Sequence, residues 1–120
     1  MVVILSGGGG TQQGYTALSS GTLLADGLEQ LVVEHSGLAR LMGYIDLSAM
    51  QLGDIVEVRQ YIIAIAGGAY ALHALEQYGD AQVLPLLHIS PKLSYWAVKV
   101  ALRQMAGAFK SFPYNFVLES

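Results

Sequence analysis

The sequence contains no cysteine, so neither disulfides nor thiolate metal sites hold the chain together. Charge is scarce as well: 12% of the 120 residues are Asp, Glu, Lys or Arg, half of the roughly 25% found in ordinary globular domains. Six basic residues stand against nine acidic ones with no basic cluster, which argues against nucleic acid as a partner. No apolar run reaches the ~20 residues of a spanning helix; the longest, Gln60 to Leu75, is broken by Gly67 and Gly68 and carries His73. No Lys or Arg precedes Val2 to Leu5, so a basic signal-peptide start is missing, and neither membrane insertion nor export is expected. What is present is apolar surface. With 53% hydrophobic residues, the chain has more than one core needs and too little charge to coat a monomer.

Residues 1–21 read differently from the remainder. A short apolar stub, Val2-Val3-Ile4-Leu5, is followed by four glycines and a polar run through Gln13 and Ser20. The expectation is an extended Gly-rich N-terminal arm, followed by one domain over 22–120. Fixing each backbone residue costs about 1–2 kcal/mol, and glycine lies at the upper end. Such an arm is expected to be held by a partner, with Val2, Val3, Ile4 and Leu5 on its sheet edge or in its groove.

From Thr22 onward the pattern is short strands between turns. Asp26-Gly27 predicts a hairpin joining Thr22–Ala25 to Gln30–His35, and glycine inside Leu23 to Glu34 argues against a helix there. Leu38 to Leu47 continues as a strand. Gly67-Gly68 predicts a second hairpin from Ile55–Ile65 and Tyr70–Tyr78, which with a two-residue loop sets Arg59 opposite Glu76. Val83 to Ile89 follows, ended by Ser90-Pro91. Trp96, Val98, Val100 and Leu102 alternate with Ala97, Lys99, Ala101 and Arg103, and Phe112, Tyr114, Phe116 and Leu118 alternate likewise. These last two strands are expected to pair through a loop centred on Gly107, with Trp96 in the core. About eight such strands predict an all-β fold, an antiparallel β-sandwich or jelly roll.

On the Gly67-Gly68 hairpin both faces are apolar, Tyr61, Ile63, Tyr70 and Leu72 on one and Val58, Ile62 and Leu75 on the other. One face of an antiparallel sheet normally meets water. The second apolar face is therefore expected to meet another copy of the chain, and Tyr61, Ile63, Tyr70 and Leu72 are the candidate interface.

Motifs that would carry chemistry do not close. Gly7 to Gly10 lack the Lys and Ser or Thr of a phosphate loop. His35, His73 and His88 lack a third ligand nearby in sequence, even if His73 and His88 meet on paired strands. Asp26, Glu29, Glu34, Asp46 and Asp54 match no calcium-loop spacing and read as solvated turn acids. No catalytic residue, metal or cofactor is expected. Tyr61, Tyr70 and Tyr78 stay open to ligand or subunit contact, which keeps a sugar-binding jelly roll as an alternative; a filament in which Val2 to Leu5 add to the next copy is another.

Asp46-Leu47-Ser48-Ala49-Met50-Gln51-Leu52-Gly53-Asp54, Val98 to Gly107, and Lys110-Ser111-Phe112-Pro113-Tyr114 together resemble small β-sandwich virion proteins of tailed bacteriophages. Ala101 and Met105 stand where that pattern carries threonine. The resemblance implies a capsid decoration or cement protein, a trimer clamped on the major capsid protein at the virion surface after assembly in the host cytoplasm.

Overall fold

The structure, a computed structural model, describes residues 15–119, and among them it has eight strands and no helix. They are β1 (Tyr15–Leu24), β2 (Gln30–Ser36), β3 (Ala39–Asp46), β4 (Ile55–Ile63), β5 (Ala71–Gly79), β6 (Leu86–Ser94), β7 (Ala97–Ala106) and β8 (Ser111–Glu119). Two antiparallel four-stranded sheets result, a first in the order β1-β8-β3-β6 and a second in the order β2-β7-β4-β5. The pairs are nested: β1 with β8, β2 with β7, β3 with β6, β4 with β5.

Period-two patterning builds the core, as in a β-sandwich. In β3, Leu41 and Ile45 are buried while Arg40 and Tyr44 are exposed. Phe112 and Phe116 of β8 join them from the first sheet; Val56, Val58, Val98, Val100 and Leu102 face them from the second. Each such burial contributes roughly 1.5–3 kcal/mol. Gly43 is required by this packing, because a β-carbon there would overlap the Asn115 carbonyl and the Phe116 ring.

Several sequence expectations are corrected. Residues 22–35 are not a hairpin: Leu24 pairs with Ser111 in the first sheet and Gln30 with Leu102 in the second. The Asp26-Gly27 turn forms, with Leu28 N–H donating to Asp26 Oδ1 at 2.9 Å and Gly27 at φ 85°, but it carries the chain between sheets. Nor do β7 and β8 pair. Their apolar faces coincide because they meet across the core from opposite sheets, and Gly107, at φ 88°, turns the chain across. Trp96 lies outside the core at 42% exposure, its ring 4.9 Å from that of Tyr95 in the β6–β7 connection.

The β4–β5 hairpin is present, but its loop spans residues 64–70 and a bulge lies between Gln60 and Tyr61. Arg59 therefore faces Leu75, and Glu76 faces Val58. Pro91 does not end β6. It lies within this edge strand at a register shift, where its missing N–H breaks no regular ladder. Residues 15–21, expected in the arm, form most of β1, with Tyr15 opposite Glu119 and Gly21 opposite Tyr114. Val2, Val3, Ile4 and Leu5 lie outside the described residues.

Candidate functional site

The outer face of the second sheet collects the described residues of the expected interface. Tyr61 sits opposite Leu72, and Ile63, two residues along β4, points to the same face. Tyr70 joins them through Lys99 of β7, whose Nζ lies 5.0 Å from the Tyr61 ring centroid and 4.5 Å from that of Tyr70. Each ring thus offers its negative face to one cation. The hydroxyls are engaged as well: Tyr61 donates to Glu29 at 2.8 Å and Tyr70 to Glu34 at 2.6 Å. Burial, reinforced by these carboxylates, pushes both phenols above their ordinary range, so they remain donors.

The network continues through Arg59, which pairs with Glu29 at 3.2 Å and with Glu57 at 2.6 Å. Glu57 is buried, and Gln77 donates to its other oxygen at 3.2 Å. Burial opposes its ionisation, but the bonds from Gln77 and Arg59 and the charges of Arg59 and Arg103 outweigh that and hold its carboxyl below the ordinary value. Glu29 and Glu34, read in the sequence as solvated turn acids, are therefore partners in a continuous face rather than free charges. Leu72 is 46% exposed beside them.

A second feature occupies the end of the molecule where β1–β2, β3–β4, β5–β6 and β7–β8 connect. Asp54, expected to be solvated, is buried: its Oδ2 accepts from Gln51 N–H at 2.8 Å and from Lys110 Nζ at 2.9 Å. The backbone bond to Gln51 and the contact with Lys110 hold its carboxyl below the ordinary range. Asp80 N–H donates to the Asp54 carbonyl at 2.9 Å, and Asp80 Oδ1 accepts from Gly53 N–H at 2.8 Å. Gln104, also buried, accepts from Lys110 N–H and donates to the Ala106 and Ala108 carbonyls. These connections brace one another, yet their tips are apolar. Leu52, Val83 and Leu84 are 88%, 94% and 86% exposed, with Leu24, Leu28 and Phe109 exposed nearby.

Nothing local in the sequence marks Asp54 or Gln104 as buried, and Val83 and Leu84 extend the apolar pattern of β6 in the sequence although they lie before the strand. The histidines are not on paired strands, since β5 and β6 belong to different sheets. His88 stacks on Tyr44 on the outer face of the first sheet, with ring centroids 4.8 Å apart. Asp26 and Asp46 serve their own turns, accepting from Leu28 and Ser48 N–H. Among the described residues no group of three or more His, Asp or Glu is placed to hold a metal ion. No family model, curated protein or solved structure matches this chain.

Proposed function

We propose that the protein is a structural assembly subunit folded as a jelly roll, a capsid decoration or cement protein of a tailed bacteriophage, carried on the virion surface. The nested pairing supports the jelly roll: one long antiparallel hairpin, β1 to β4 against β5 to β8, is rolled so that its strands divide between two sheets. The observation that carries the assembly role is the apolar loop end. Leu52, Val83 and Leu84 project almost fully from connections braced through Asp54, Asp80 and Lys110. Contiguous exposed apolar surface is uncommon on soluble monomers and marks contact sites. Braced loops also lose little conformational freedom on docking, so more of the burial energy appears as affinity. This end seats on the major capsid protein, while Tyr61, Ile63, Tyr70 and Leu72 meet sister subunits in a closed trimer. Neither contact requires a catalytic group or a cofactor.

The test is co-sedimentation of the full chain with shells formed by the major capsid protein of the same genome. The unmodified protein should pellet with shells to a saturating ratio. A variant combining Leu52→Asp, Val83→Asp and Leu84→Asp should keep its melting temperature and remain in the supernatant. Failure of the unmodified protein to bind, or undiminished binding of the triple variant, overturns the proposal.

A further inference from the structure

The edge strands β5 and β6, one from each sheet, flank a groove of about 610 Å³. That volume lies within the range of ligand pockets, roughly 300–1,000 Å³. Its walls are polar where a sandwich interior should be apolar. Glu76 pairs in register with buried Val58, and Lys92 with buried Leu41, so both charged residues occupy core-facing register positions. Inward-pointing charge on an edge strand has an ordinary use, which is to discourage pairing with other chains. That use does not account for Gln60. It lies on the interior strand β4, opposite buried Val100, is 6% exposed and lines the groove, and its Oε1, closed off from solvent, has no hydrogen-bond partner. An unpaired buried amide is costly, and a polar cavity beside it is where a partner belongs.

We propose that this groove binds a neutral, hydroxyl-rich ring, a hexose-type sugar. The walls supply both halves of what vicinal hydroxyls need. The standing acceptor is Glu76, whose Oε1 already takes the Tyr78 hydroxyl at 2.9 Å, leaving its second oxygen available, and a turn of the Gln60 amide brings its closed-off, unpartnered Oε1 to the groove as a second. The Lys92 ammonium is the facing donor. Glu76 and Lys92 form no ion pair with each other, the ion pairs of the described residues lying elsewhere. Their opposite charges leave the groove with no net sign to select an anion or a cation. His73, pushed below its ordinary value by burial and by Lys92, is neutral at pH 7 and serves as donor and acceptor together. Tyr78 and Leu87, partly buried against the core, offer apolar surface for the C–H face of a ring. The site is independent of the loop end and of the trimer face, so it stands or falls separately from the assembly role.

The experiment is an NMR titration of the isotope-labelled full chain with methyl glycosides of glucose, galactose, mannose and rhamnose and the matching disaccharides, at millimolar concentration, with inorganic phosphate as the anionic comparison. At least one sugar should shift the signals of Gln60, His73, Tyr78 and Lys92 together. A stronger response to its disaccharide assigns the end of a glycan chain, and an equal response a free sugar. Gln60→Leu replaces the unpaired amide with an apolar group of similar size, should keep the fold, and should weaken binding about ten-fold, the factor for one lost hydrogen bond. Silence of the groove to every sugar, a response to phosphate in place of sugars, or undiminished binding by folded Gln60→Leu overturns the proposal.

Discussion

Lys110 Nζ lies 2.9 Å from Asp54 Oδ2, and the pair ties the turn after β7 to the last residue before β4. Asp54 is 2% exposed and also caps Gln51 N–H, so its charge is used twice. Because its folded pKa is below the ordinary 3.8, its contribution is complete above that value and is lost as pH falls further. Glu57, likewise depressed from 4.5, acts in the same direction. Melting temperature should therefore fall steeply on acidification below about pH 4. Asp54→Asn should melt lower at pH 7 and show a shallower acid limb; an acid limb identical to that of the unmodified protein would contradict the pairing.

Glycine positions give a graded stability series. Gly107 combines φ 88° with a site where a β-carbon would fall into the Asp54 carboxylate. Gly53 has a similar φ of 91° but open space around it. Gly53→Ala should cost about 1–2 kcal/mol, the left-handed backbone strain alone. Gly107→Ala should cost clearly more, through the collision and the loosened Asp54–Lys110 pair. Gly43→Ala adds no left-handed strain, yet it pushes on backbone and on the Phe116 ring and should cost about 1–3 kcal/mol. Denaturant melts of the three variants check the order, and equal costs at Gly53 and Gly107 would remove the steric part.

These same residues show what the sequence carried. Gly107 and Asp26-Gly27 were legible as turns because left-handed backbone and Asx bonding are local properties. Tyr61, Ile63 and Leu72 were legible as one face because strand side chains alternate. The identity of the pairing partner was not legible. Alternation in Val98, Val100 and Leu102 states which face is buried, but a strand across the core satisfies it as well as a neighbour in the sheet. The longer β4–β5 loop shifted Arg59 away from Glu76 and the bulge between Gln60 and Tyr61 brought the register back by one residue only, to Leu75, and no turn residue marks either change. Asp54 resembled any loop acid because its ion-pair partner, Lys110, is supplied by the distant turn after β7. The loop end and the β5–β6 groove likewise exist only once distant segments are folded together.

Alkaline titration reports on the tyrosines. Burial and the Glu76 carboxylate push Tyr78 up to about 12, while Tyr61 and Tyr70 are raised by burial and by Glu29 and Glu34. A phenol whose pKa is raised on folding contributes stability that is complete below its unfolded value near 10 and is lost as pH climbs through the folded value. Unfolding should therefore set in between about pH 10 and 12. Ultraviolet absorbance of phenolate should show a late component that moves earlier in Glu76→Gln, which removes the charge opposing ionisation of Tyr78. A late component unchanged in that variant would detach Tyr78 from Glu76.

Leu72 separates the subunit from its assembly. It is 46% exposed on the outer face of β5, opposite Tyr61, and takes no place in the buried core cluster. Substitution at such a position leaves the stability of an isolated subunit within about 0.5 kcal/mol. In the proposed trimer the same side chain is covered by a sister copy, where an introduced carboxylate loses its water while Arg59 is already paired with Glu29 and Glu57 and Lys99 is held over the Tyr61 and Tyr70 rings. A buried, uncompensated charge opposes association far more strongly than it perturbs an exposed strand. Leu72→Asp should therefore sediment as a folded monomer of 12.8 kDa at micromolar concentration, while the unmodified chain sediments at three times that mass. Lys99→Met, which removes the cation between Tyr61 and Tyr70, should weaken the trimer less, because apolar contact is retained. A monomeric unmodified chain, or a Leu72→Asp chain as fully assembled as its parent, would show that this face is not where copies meet.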